Sequence, residues 1–295
     1  MNTDRKNRLL VTGRVVFSST LLAGWVLVGC SGAADSQVDT IGSTHQALTA
    51  GQDVCVESEA RPLRVGDRAL VQGLVGARGL DVGVDARING TTFVDGSGIL
   101  RDRARLSGDI SLAGFLTLGN GALVTGFVRQ RFPVVPLHLL SQAVPAGEDP
   151  VSIGPGANTR LLNGGYGDVV IRSRSTVRLS GTYDVTSFTV EPDVTLVEDP
   201  PGSGIQINSV GSITFGDRSV LRAADPVAVP IFSGGTVVSI GSQASITGII
   251  DAPIATISIG SRSLLNGCVG GDEIIVAPDA TIASTNPSAT LPLQP

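Results

Sequence analysis

Residues 241–248 read GSQASITG and residues 260–267 read GSRSLLNG, and the pattern they share recurs along most of the chain. Aligned on the central small residue, ten copies fall at Ala69, Ala86, Ala104, Ala122, Val177, Val194, Ser219, Ala244, Ser263 and Ala280, with a degenerate eleventh at Ala157. The positions four before and two after each centre are almost all aliphatic, as in Val82 and Ile88 or Ile240 and Ile246; Ser173 is a polar exception in the first column. Four residues after the centre glycine dominates, from Gly73 to Gly267. Most centres lie 17 to 19 residues apart, with two intervals of 25. Such a unit is too short for a helix pair and suits one coil of a β-solenoid. Positions separated by an even number of residues share one face of a strand, whereas a helix would scatter them and would suffer from the glycines.

The predicted fold is therefore all-β, a parallel β-helix solenoid of about eleven coils of 17–19 residues. Each coil bonds to the next through its backbone, Val, Ile and Leu stack inside, and small residues fill the corners. At about 4.8 Å per coil the rod would be roughly 50 Å long. If coil order follows chain order, Cys55 and Cys268 lie at opposite ends, and no intramolecular bridge between them is expected. The octets themselves are not phosphate loops, which need a lysine where the glycine-rich turn enters a helix. Lys6 is the only lysine in the chain.

The repeat lapses at 127–150, FVRQRFPVVPLHLLSQAVPAGEDP, where four prolines stand close together. This Pro-rich excursion divides an N-terminal β-helix block, 51–126, from a C-terminal block, 151–295. The start of the chain follows another logic. Arg5, Lys6, Arg8 and Arg14 precede an apolar run from Val15 to Val28, which is the layout of a secretory signal over 1–29. Residues 30–50 are small, polar and aperiodic, the composition of a flexible tether.

Leu27-Val28-Gly29-Cys30 resembles the bacterial lipobox, whose cysteine becomes the acylated N-terminus. The resemblance implies lipidation at Cys30 and an anchor in a membrane. Ser31 in the following position implies the outer membrane, with the protein facing the periplasm or the cell surface. GDRALVQG (66–73) and RDRARLSG (101–108) resemble the bactofilin-like, polymer-forming β-helices. Residues 162–199 and 245–271 resemble a cell-surface β-helix domain of unknown function. These likenesses imply a right-handed helix and suggest self-association; they carry no activity.

Behind Cys30 the chain keeps 17 basic and 25 acidic residues, with its arginines dispersed, so there is no electrostatic case for nucleic acid. Its two histidines, His45 in the tether and His138 in the excursion, leave no basis for a nucleophilic triad or a histidine metal site. No catalytic residue, metal site or cofactor is predicted. Asp67, Asp85 and Asp102 fall in neighbouring coils near one corner, a spacing that suits a Ca²⁺ contact or an acid/base pair, or simply aspartates bonding the turn backbone. Tyr166 and Tyr183, 17 residues apart, would stack as an aromatic ladder or serve as a sugar platform. The column three after the centre is polar but irregular, without the regular threonine rows of an ice-binding face. The sequence thus reads as a lipid-anchored envelope protein of structural or interaction type, with self-association and an envelope glycan as candidate partners. The alternative is a carbohydrate-binding or polysaccharide-degrading β-helix that uses the acidic corner.

Overall fold

A computed structural model describes residues 54–134, 146–224 and 229–283; the expected signal over 1–29, Cys30, the expected tether over 30–50 and His138 lie outside the described residues. Among the described residues the chain is all strand and turn, wound as a parallel β-solenoid of about eleven turns. Two long parallel sheets run its length. The smaller has eleven strands, each two to four residues long and each following the turn of one octet. The larger has sixteen, and in many coils a single strand bends through two sides of the cross-section, as Leu74–Val82 and Ile249–Ile259 do.

The predicted columns are the core. Leu106, Ile88 and Val71 stack in register, as do Ile246 and Leu265, and all five are fully buried. A second ladder joins Val82, Val65, Val276, Ile259 and Ile240. One coil is threaded differently from the alignment. Val177 pairs with Leu196, so it occupies the inward strand position and the turn centre is Ser175, two residues earlier. The ladder residue of that coil is then Ile171, buried and aligned with Val190, which removes the anomaly of Ser173.

The turn geometry explains the glycines that open the octets. A Cβ at Gly260 would meet the Gly241 carbonyl carbon at 2.5 Å, and one at Gly83 the Gly66 carbonyl carbon at 2.7 Å, because the turns of successive coils stack backbone on backbone. Gly267 closes its octet at φ +148, and a Cβ there would lie 1.9 Å from the Gly248 oxygen. The residue before each centre is left-handed; nine are not glycine, among them Arg68, Asp85, Arg103, Arg262 and Asp279, with φ between 57° and 62° in these five. Such backbone costs an L-residue free energy. It also turns each side chain out along the corner, so that side chains from successive coils line up in one column.

Coil order departs from the expectation. Strand Val54–Val65 pairs with Leu74–Val82 on one side and with Val269–Val276 on the other. Leu70–Gln72 likewise pairs with Thr281–Ala283. The first coil is therefore seated on the last, at a seam inside the rod. From the seam the N-terminal block winds outward to Val128–Arg129 at one tip. The chain resumes at the other tip with Val151–Ile153 and winds back to the seam. This corrects the placement of Cys55 and Cys268, which face each other across the seam instead of marking the ends. The assumption that failed was that neighbours in sequence must be neighbours in the stack; a parallel coil offers the same backbone edge to either partner.

Candidate functional site

The corner that carries Asp67, Asp85 and Asp102 is occupied by structural bonds. Asp67 and Asp102 hold the same turn position two coils apart, and each uses Oδ1 to accept from a turn amide of the next coil, Val84 N at 2.8 Å and Asn120 N at 2.9 Å. Asp217 repeats the bond to Ser242 N at 2.7 Å. Asp85 stands one position later, in the left-handed column, where Arg103 donates to both its oxygens at 2.8 and 2.7 Å. These bonds from Arg103 hold the Asp85 carboxyl below its ordinary range. Along the column the charges alternate, Arg103, Asp85, Arg68, Asp279, Arg262, and the ion pair of Arg68 with Asp279 at 2.6 Å spans the seam. Among the described residues no cluster of three His, Cys, Asp or Glu side chains is placed to hold a metal ion.

The tyrosines are not stacked. Tyr183 lies opposite Gly164, and Tyr166 opposite Val185, so the rings are offset by two residues. Tyr183 is fully buried; its hydroxyl donates to Leu161 O at 2.8 Å and accepts from Ser180 N at 3.0 Å. Tyr166 packs partly buried against the core, with its hydroxyl on Leu162 O at 2.7 Å. The two form no exposed platform.

Beside the acidic corner, on the outer side of the smaller sheet, lies a groove of about 630 Å³ lined by Arg68, Leu70, Asp85, Arg87, Asn89, Arg105, Ser107 and Thr281. Arg87 and Arg105 are exposed residues at the same position of adjacent coils, directly in register, as are Asn89 and Ser107. Neither arginine makes an ion pair among the described residues; Arg105 is felt by Asp85, which is already held by Arg103. Stacked like charges on neighbouring strands repel. A planar guanidinium presents a fork of donors that matches a carboxylate, sulfate or phosphate. Two such forks lie one coil apart here, with the Asn89 amide and the Ser107 hydroxyl alongside. This pair stands outside the acidic corner that the sequence singles out. The available signal was two arginines directly after the centres Ala86 and Ala104.

No known protein family and no curated protein matches the sequence. Solved structures do resemble the fold. An ice-binding protein from the Antarctic ascomycete Antarctomyces psychrotrophicus shares 12% identity at a TM-score of 0.40, over 81% of this chain and 98% of that one. An ice-binding protein from an Antarctic bacterium, Flavobacteriaceae, shares 12% identity at a TM-score of 0.30, over 77% of this chain and 81% of that one. The outer lane three after each turn centre reads Thr125, Ser107, Asn89, Gln72, Ala283, Asn266, Thr247, Arg222, Val197, Arg178 and Arg160, which mixes charge, amide and aliphatic side chains.

Proposed function

We propose that the protein is an exported, lipid-anchored rod of the bacterial envelope that works by surface contact and not by catalysis. Its anchor is Cys30 and its membrane the outer one, on the resemblance to the lipobox and the serine at position 31. The observation that carries the contact role is the Arg87/Arg105 pair: a fold that neutralises its corner charges coil by coil keeps two arginines together, facing a groove. The partner that fits is an anionic envelope polysaccharide. Its repeating carboxylate, sulfate or phosphate groups would meet the guanidinium forks while its hydroxyls meet Asn89 and Ser107. The carbohydrate reading thereby moves from the acidic corner to the basic groove next to it.

The test is binding of the folded protein to acidic and neutral polysaccharides immobilised side by side. Retention on the acidic polymers only, weakened at least tenfold in R87A/R105A and weakened by salt, is the expected result. Equal retention of wild type and double variant would refute it.

A second reading, end-to-end self-association, is supported by the tip of the N-terminal block. There Phe115, Leu118, Leu123 and Phe127 are exposed, Phe127 at 74%. Strands at that tip have a free backbone edge among the described residues, which is a template for another copy. Sedimentation velocity on wild type and F127E distinguishes it: the wild type grows with concentration and the variant stays a monomer.

A further inference from the structure

We propose that Cys55 and Cys268 form a disulfide that locks the first coil of the solenoid to the last. Val56 and Val269 are register partners on adjacent parallel strands, and the two cysteines immediately precede them. At one-strand spacing their Cα atoms are about 4.8 Å apart, inside the roughly 4.4–6.8 Å that a disulfide spans. Both side chains are buried, at 2% and 0% exposure. The thiols are in hydrogen-bonding contact with each other, and Cys55 Sγ also donates to Gly267 O at 3.2 Å. On the other side of Cys55 stands Gly73, where an added Cβ would lie 2.8 Å from the Cys55 Cβ. The sulfur pair is thus enclosed by coils on both sides. It is the junction between two segments that 212 residues of chain separate.

The chemistry needs a disulfide oxidant of the thiol–disulfide exchange class. The thiolate of one cysteine attacks the oxidant's S–S bond to give a mixed disulfide and release one carrier thiolate. The second cysteine thiolate then attacks the Cys sulfur of that mixed disulfide, forms Sγ–Sγ and releases the second carrier thiolate. Two protons leave the protein, two electrons pass to the oxidant, and the carrier ends as two thiols. Neither sulfur is reachable once the seam has closed, and the hydrogen bond with the Cys268 thiol, together with burial, pushes the Cys55 thiol far up. Exchange therefore belongs to folding, as the last coil docks on the first. Afterwards the bond is shielded from reductant until the seam opens.

The oxidant in the cell rests on the export reading, so the experiment supplies it directly and tests the bond independently of location. The full chain carrying C30S is refolded in a glutathione redox buffer, denatured without reductant, alkylated and mapped by mass spectrometry. The expected result is a cross-linked peptide containing residues 55 and 268, with neither cysteine alkylated. Reduction during refolding should lower Tm by roughly 5 to 15 °C, because the bond closes a very long loop. C55A and C268A should show no difference in Tm between the two buffers. Recovery of both cysteines alkylated from the C30S chain folded under oxidant, or of cross-links between chains only, overturns the proposal; neither result depends on C55A or C268A folding.

Discussion

Gly260 and Gly154 open the same corner of two coils, yet only one of them is packed. An added Cβ at Gly260 meets the backbone of the preceding turn at 2.5 Å, whereas at Gly154 nothing lies within 4 Å, because that coil is the outermost of its block. Neither residue has a left-handed φ, so the contrast isolates the stacking. Urea unfolding should therefore show G260A losing roughly 2 to 4 kcal/mol and G154A staying within about 0.5 kcal/mol of wild type. Equal losses would mean that the glycines serve the turn itself. The sequence exposed the glycine columns fully, since they follow the repeat. It could not assign roles to Asp67, Asp85 and Asp102, because a turn-bonding aspartate and an ion-paired one are spelled alike and differ by a single position in the corner.

Among the elements, the three strands at the seam share an unusual outer lane. Asp251 on Ile249–Ile259 and Glu57 on Val54–Val65 both align with Gly270, which lies between them and has no side chain. Both carboxyls are buried; among the described residues both Asp251 oxygens and Glu57 Oε2 lack a hydrogen-bond partner. Burial first, and then the negative charge of Glu59, pushes Asp251 up to about 7 and Glu57 up to about 8. Raised carboxyls mean that the folded chain holds protons which the unfolded chain has already released above about pH 4. Their contribution to stability is whole below that pH and is lost as pH rises through 7 to 8. Ion-paired Asp85, Asp193 and Asp279, held low by Arg103, Arg218 and Arg68, act in the opposite sense only in stronger acid. Tm should accordingly fall by roughly 10 °C or more between pH 5 and pH 9, and D251N should flatten that fall. A wild-type Tm that rises across this range would contradict the assignment. At this scale strand positions were legible from the even spacing. The exception is the coil around Ser175, where Val177 fits the small-residue column as well as the inward one and Gly181 imitates the closing glycine.

For the molecule as a whole, the architecture was readable and the order of its coils was not. Every coil offers the same edge chemistry, so an alignment of repeats cannot distinguish a junction between sequence neighbours from the seam. Charge is consistent with the seam: the column from Arg103 through Asp85 and Arg68 continues in alternation with Asp279 and Arg262, and Arg68 donates to both oxygens of Asp279, at 2.6 and 2.8 Å. The seam also has a mechanical consequence. A chain that enters and leaves through touching coils would feel a pull between Val54 and Ala283 at that one junction before any other coil is loaded. In an optical trap the thiol form should therefore open the seam first and then release one coil after another from the parted faces. With Cys55 bonded to Cys268, the force would run directly from one strand to the next and bypass everything between them. The oxidised rod should extend hardly at all under a load that unravels the reduced one.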